Sequence, residues 1–152
     1  MKNKKWIILT TFILFCILIL AGCDGFDAEN ITSGSVSKNS QNCSMKMKTG
    51  NCEGSIENLS GTYEIEVSTN SQDKVGIELD VQITDGQMLV WFINIDGDKI
   101  SAEVSPGSPT TLVGIVETES EFDEGEFFTF TFEALSDQVD NITYTIIHKD
   151  LD

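Results

Sequence analysis

The chain has 152 residues and a formal net charge of −16, because 25 acidic residues face nine basic ones. All nine basic residues are lysines, so the chain lacks the bidentate guanidinium that phosphate and carboxylate ligands commonly bind. This excess of negative charge excludes an electrostatic surface for nucleic acid, and it favours a cation or a basic peptide as a charged partner. The length suits one domain of ordinary size.

The first 22 residues have the layout of a secretory signal peptide. Lys2, Lys4 and Lys5 form a basic start, and an apolar run follows at residues 6–20. The run is shorter than the roughly 20 residues that a transmembrane helix needs, and small residues follow it. A retained membrane anchor and a freely secreted form are the alternatives to cleavage. Each of the three places the rest of the chain outside the cytoplasm.

The junction Leu20-Ala21-Gly22-Cys23 resembles the lipobox of bacterial lipoproteins, and the resemblance covers residues 1–23 only. It implies cleavage before Cys23, a diacylglyceryl group on the Cys23 thiol, and a lipid-anchored position on the extracytoplasmic face of the cell membrane. Cleavage would remove three lysines and no acidic residue, leaving six lysines against 25 acidic residues, a net charge of −19. The lipid anchor, rather than the acidic surface, is then the contact with the membrane.

Residues 23–42 are expected to form a flexible tether that carries the lipidated Cys23. They are nearly all polar or small, and they show no apolar periodicity. The division predicted for the chain is therefore a signal peptide at residues 1–22, a tether at 23–42 and one folded domain at 43–152.

Two cysteines remain in the predicted domain, Cys43 and Cys52. Outside the cytoplasm, a pair this close in sequence usually forms a disulfide. The alternative is a Cu(I) site to which Met45 and Met47 add soft sulfur ligands. Because these methionines alternate with lysines, the segment is also typical of a short strand with one apolar face.

The chain beyond Gly61 shows the period-two alternation of half-buried strands. The clearest apolar sets are Tyr63, Ile65 and Val67; Val75 to Ile83 at odd positions; Phe128, Phe130 and Phe132; and Ile142, Tyr144 and Ile146. No stretch after Cys23 keeps helical spacing for three turns. Short strands about ten residues apart, with turn signals between them, predict an all-β fold. We expect an antiparallel β-sandwich of roughly seven to eight strands, immunoglobulin-like or jelly-roll-like.

The centre of the fold is expected around Trp91. Residues 88–95 are apolar at nearly every position, which predicts a strand buried on both faces with Trp91 in the core. Asp85-Gly86 before this run predicts a hairpin turn, and Asp96-Gly97 after it predicts a second turn.

The segment 117–126 concentrates negative charge between two predicted strands. Its carboxylates belong to Glu117, Glu119, Glu121, Asp123, Glu124 and Glu126. Because Ca²⁺ takes six to eight oxygen ligands, the segment is a candidate for a weak Ca²⁺ site, and no other cofactor is expected. A solvated loop and a docking patch for a basic partner are the alternatives. Alternating side chains of an extended segment point to opposite sides, which disfavours a single site.

Catalysis is not expected. His148 is the only histidine, and it lies four residues from the C-terminus, where the pattern predicts a charged tail that would hold a triad imidazole poorly. No pair of carboxylates stands out in an apolar setting. We predict a lipid-anchored, extracytoplasmic binding or accessory module that is not an enzyme. The alternatives are an immunity-type lipoprotein that captures a cationic peptide, and a structural surface protein without a specific ligand.

Overall fold

The computed structural model describes residues 31–46, 48–71, 73–121 and 125–151. In chain order, the strands of this part are β1 (Ile31–Lys46), β2 (Thr49–Thr69), β3 (Lys74–Gln82), β4 (Met88–Ile93), β5 (Lys99–Val104), β6 (Thr110–Glu117), β7 (Glu119–Glu121), β8 (Gly125–Ala134) and β9 (Val139–Asp150). None of the residues described there forms a helix long and apolar enough to cross a membrane.

All strand pairs are antiparallel, along the path β5-β4-β8-β2-β9-β3-β6, with β1 beside β2 and β7 beside β8. β2 pairs with β9 through its first half and with β8 through its second half. The aromatic side chains of β8 pack on β9, although these strands do not pair; the Phe132 and Tyr144 ring centroids are 5.5 Å apart. The strands therefore form two packed layers. The predicted antiparallel β-sandwich is confirmed.

We call β5, β4, β8 and the second half of β2 the front layer, and the first half of β2, β9, β3 and β6 the back layer. β2 passes between them at a glycine pair. Gly61 has φ 81°, and its partner in β1, Gly34, has φ 111°. A Cβ at Gly34 would lie 1.7 Å from the carbonyl oxygen of Ser60. Because glycine adopts positive φ without steric cost, this pair lets both strands of the β1–β2 hairpin bend together.

The core is formed by the inward side chains of the two layers. Phe130 is fully buried at its centre, with ring centroids 5.7 Å from Phe92 and 5.8 Å from Phe128, both edge to face. Gly114 of β6 lies under the Phe92 ring, where a Cβ would come within 2.5 Å of Cζ. The alternation predicted for β2, β3, β8 and β9 matches the buried positions of these strands.

The tether predicted at residues 23–42 is wrong for residues 31–42, which belong to β1. Nine strands are described where seven to eight were expected, because β1 and the short β7 were not anticipated. β1 is an edge strand that pairs with β2 alone, so backbone hydrogen bonds hold it while its side chains stay mostly exposed. A strand without a buried face shows no apolar period, and this is why its sequence resembles a linker. Residues 1–30, with the predicted lipobox, lie outside the described residues.

The strand buried on both faces, predicted around Trp91, is also a wrong prediction. In β4, Met88, Val90 and Phe92 are buried, whereas Trp91 is half-buried and Ile93 is 48% exposed. β4 therefore alternates like its neighbours, and its large outer side chains face solvent. The apolar run reflects an apolar outer surface at this position rather than a central layer.

The two turn signals had different outcomes. The hairpin predicted at Asp85-Gly86 is wrong, because β3 pairs with β6 and β9 whereas β4 pairs with β5 and β8. That turn, with Gly86 at φ 88°, carries the chain from the back layer to the front layer. The turn at Asp96-Gly97 is confirmed, since it joins β4 and β5 and the Asn94 N–H donates to the Asp98 carbonyl at 2.9 Å.

Cys43 and Cys52 form a disulfide across directly opposed positions of β1 and β2. Cys52 is buried at the edge of the core, so the bond fastens the exposed strand β1 to the sandwich. By loop-closure entropy, a bridge over so short a loop contributes about 2–3 kcal/mol to stability. With both sulfurs in the disulfide, neither is the thiolate ligand that the Cu(I) alternative requires.

Candidate functional site

A groove opens on the front layer where one edge of β8 lacks a neighbouring strand. β2 pairs along the whole of the opposite edge of β8. On the open edge, β4 pairs with residues 131–134 of β8, and β7 pairs with residues 125–127. Phe128, Thr129 and Phe130 lie between these two pairings. The groove forms because β4 turns away after Ile93 before the chain returns through β7.

The groove has a volume of about 350 Å³. Its floor comes from the outer faces of β2 and β8, and its walls come from the end of β4 and the β6–β7 connection. The lining residues on which the site's chemistry depends are Trp91, Phe127, Thr131, Glu64, Glu117 and Glu119. A volume of this size lies at the low end of the range for small-ligand pockets. We refer to this feature as the Trp91 groove.

The Trp91 ring forms the aromatic wall of the groove. Lys99 of β5 places its Nζ 4.3 Å from the centroid of this ring, within the distance of a cation–π contact. The indole N–H is buried and has no hydrogen-bond partner among the described residues. Trp91 therefore presents an apolar, electron-rich face that already attracts an ammonium group.

Thr131 is the most enclosed polar residue of the groove. It is 3% exposed and lines the groove, and in the part of the chain that the structure describes its hydroxyl makes no hydrogen bond. β4 pairs with it through Trp91, and β2 pairs with it through Glu64. Because Thr131 lines the groove and its hydroxyl makes no hydrogen bond to the described residues, this hydroxyl can donate to a ligand or accept from it.

Carboxylates from two separate parts of the chain meet in the groove. Glu64 and Glu66 come from the outer face of β2, and Glu117 and Glu119 come from the β6–β7 connection. The salt bridge between Lys38 and Glu57, at 2.6 Å, involves none of these carboxylates. Glu64, Glu117 and Glu119 have no cationic partner in the part of the molecule that the structure describes.

The structure divides the acidic segment 117–126 rather than gathering it. Glu119–Glu121 form β7, which pairs with the start of β8, so these three residues belong to a strand. Within the described residues, no group of three His, Cys, Asp or Glu side chains is placed to hold a metal ion. Asp123, Glu124 and the Glu121 side chain lie outside these residues, and the Ca²⁺ site remains a prediction. Glu126 does not line the groove.

His148 is not in a charged tail, as the sequence pattern predicted, but inside β9 with 1% exposure. Its ring packs edge to face on Phe128, with centroids 5.3 Å apart, and its Nε2 occupies the space of the missing Gly50 side chain. Neither ring nitrogen has a hydrogen-bond partner among the described residues. Burial lowers the pKa of His148, and the Asp150 carboxylate opposes this by raising it. This histidine belongs to the core and does not itself line the groove, although it packs on Phe128, which does.

Sequence reasoning identified Glu117 and Glu119 but missed Glu64, Thr131 and the exposure of Trp91. Period-two alternation alone places Glu64 and Glu66 on the outer face of their strand. What the pattern lacks is the pairing order, which brings β2, β8, β4 and β7 together.

No family model and no curated protein sequence matches the chain. Among solved structures, procruciferin, the 11S globulin from Brassica napus, is 16% identical with a TM-score of 0.35, over 69% of this chain and 22% of that one. The protein of the disulfide-linked pili that form Bacillus endospore appendages is 12% identical with a TM-score of 0.39, over 79% and 92%. The family 11 carbohydrate-binding module of a cellulosomal cellulase of Clostridium thermocellum is 9% identical with a TM-score of 0.36, over 81% and 92%. At such TM-scores, the likenesses support no conclusion about function.

Proposed function

We propose that this protein is a lipid-anchored, extracytoplasmic binding module, without catalytic activity, that holds its ligand in the Trp91 groove. The observation that carries the proposal is the groove itself. It combines an aromatic wall, the Thr131 hydroxyl and the carboxylates of Glu64, Glu117 and Glu119 on the outer face of the sandwich. Aromatic surface with a few convergent polar groups is the usual composition of a ligand site.

The chemistry of the lining favours binding over catalysis. The described lining residues are Glu, Thr and apolar or aromatic side chains, and they include no His, Cys, Ser or Lys. A Ser or Cys nucleophile activated by histidine is therefore absent from this part of the groove. The groove also lies on the outer face of a layer, where water is poorly excluded.

The proposed anchor would hold the groove close to the lipid surface. Residues 24–30 separate Cys23 from β1, and seven residues span at most about 25 Å when extended. β1 enters the sandwich with Ile31 opposite Tyr63, which is next to Glu64 of the groove. The connection to the proposed anchor and the groove would therefore lie near the same part of β2.

Replacement of Cys23 by alanine tests the anchor. We expect the wild-type protein to partition with membranes and to carry a diacylglyceryl group on a mature N-terminal Cys23 in mass spectrometry. The Cys23→Ala variant should lose the lipid and leave the membrane fraction, because the thiol is the acceptor. An unmodified wild-type protein that retains Met1 would contradict the proposal. A Cys16→Ala variant serves as the control, since Cys16 lies inside the predicted signal peptide.

Trp91 fluorescence tests the groove. In a Trp6→Phe background, Trp91 is the single tryptophan of the full chain. We expect at least one ligand from a panel of soluble peptides and oligosaccharides to change its emission. For that ligand, Trp91→Ala should weaken binding about 30-fold, since truncating an aromatic anchor costs about 2 kcal/mol. Trp91→Phe, which keeps an aromatic face, should retain most of the affinity. Affinity that is equal in all three proteins would place the ligand elsewhere.

A further inference from the structure

We infer that the ligand of the Trp91 groove is a basic peptide segment whose lysine or arginine side chain enters the groove. This inference rests on the proposed binding function and adds the chemical class of the ligand. It follows from the hydrogen-bonding character of the lining, from its uncompensated charge, and from the lysine that the chain itself places on Trp91.

The side chains that line the groove offer mostly acceptors. Ionised carboxylates accept hydrogen bonds but cannot donate them, and the hydroxyls of Thr129 and Thr131 can do either. A complementary ligand must therefore be rich in donors and poor in acceptors. Ammonium and guanidinium groups, which have three and five N–H donors and no acceptor, meet this requirement, whereas a neutral sugar brings as many acceptors as donors.

The negative charge of the groove also favours a cationic ligand. Glu64, Glu117 and Glu119 line one small groove and have no cationic partner among the described residues. Like charges in such proximity repel one another, and a cation that enters between them relieves the repulsion. The six lysines against 25 acidic residues downstream of residue 22 leave few internal cations to do so, while the overall field attracts external ones.

Lys99 acts as an internal substitute for part of the ligand. Its ammonium lies 4.3 Å from the Trp91 centroid, although it is not among the residues that line the groove. A cation on the ligand would make the same contact with the aromatic face. It would also contact the groove carboxylates, with which Lys99 forms no salt bridge. Lys99 is exposed and is therefore free to move aside. We infer that the ligand displaces Lys99, which makes this lysine a competitor of binding.

The probe for this inference is pentalysine with blocked termini, titrated into the full chain in mild detergent and in the Trp6→Phe background. We expect a change in Trp91 emission and an affinity that falls at least tenfold between about 20 and 200 mM NaCl, because the Debye length drops below the size of the site over that range. Pentaserine should not bind. Lys99→Gln should raise the affinity severalfold by removing the competing ammonium.

A pair of charge-matched variants separates the groove from general attraction to an acidic protein. Glu64→Gln with Glu117→Gln removes two groove carboxylates, and Glu53→Gln with Glu78→Gln removes two exposed carboxylates from the back layer. We expect the first double variant to weaken pentalysine binding about tenfold or more, and the second to weaken it less than twofold.

The possible outcomes distinguish the cationic ligand class from the binding function of the groove. Equal losses in the two double variants would overturn the inference, since binding would then follow net charge alone. Oligosaccharide binding that depends on Trp91, without pentalysine binding, would overturn the cationic class but leave the binding function of the groove intact. The absence of any Trp91 response to either class of probe would overturn both.

Discussion

Replacing Phe130 with alanine is expected to lower the free energy of unfolding by about 3–5 kcal/mol. Phe130 has no exposed surface and touches both Phe92 and Phe128 edge to face, so the variant loses transfer free energy, two aromatic contacts and the packing of a filled centre. Domains of this kind are stable by about 5–15 kcal/mol, so the loss would leave the protein marginally folded. Urea unfolding followed by circular dichroism measures the change.

Phe127→Ala is the matched control for this prediction. Phe127 lies on the same strand and has the same chemistry, but it is half-buried on the outer face. Its truncation should cost about 1–2 kcal/mol, because part of the ring is already in contact with water. Comparable losses in the two variants would show that the inner and outer faces of β8 are wrongly assigned.

The second large effect concerns pH. The stability of the protein is expected to be highest above pH 6.5 and to fall as the pH is lowered below it, because burial lowers the pKa of His148 from its ordinary value of 6.5. Below pH 6.5 the unfolded chain binds a proton on this imidazole, whereas the folded chain does not, so acid favours unfolding. The loss continues until the pH reaches the pKa of folded His148 itself. Melting temperatures measured from about pH 7.5 to pH 5 report this loss of stability.

The comparison with His148→Met isolates this contribution from the titration of the many carboxylates. Methionine is unbranched and adaptable enough to occupy the space over Gly50 without a titrating group. Its melting temperature should change less with pH over the same range. Asp150→Asn should steepen the dependence, because the Asp150 carboxylate raises the pKa of His148. Parallel pH profiles for wild type and His148→Met would refute the role of this histidine.

Much of the fold follows from local pattern. In the strands around Val67, Leu79, Phe130 and Ile146, each alternation of apolar and polar residues corresponds to a buried and an exposed face. Such strands can be predicted because one face of a strand in a sandwich contacts water and the other contacts the apolar core. The disulfide partners could also be predicted, since Cys43 and Cys52 are the two cysteines of the predicted domain.

The wrong predictions concern residues whose burial does not follow from local alternation. β1 is held by backbone hydrogen bonds along an exposed edge, so its polar sequence indicated a tether instead of a strand. In β4, the half-buried Trp91 gives the outer face the composition of an inner one. The sequence pattern places His148 beside a charged tail, but Gly50, almost a hundred residues earlier in the chain, provides the space that buries it.

The sequence by itself determined the strands that alternate between apolar and polar residues, the inward faces of these strands, and the acidity of the domain, because these properties depend on composition and on neighbours one or two positions away. The tertiary structure alone decided the site. Glu64 and Glu117 are 53 positions apart in the chain, and they share a groove with Trp91 only because β8 pairs with β2 on one edge and is left open between β4 and β7 on the other. Pairing order depends on long-range packing of whole layers, and period-two alternation carries no information about it.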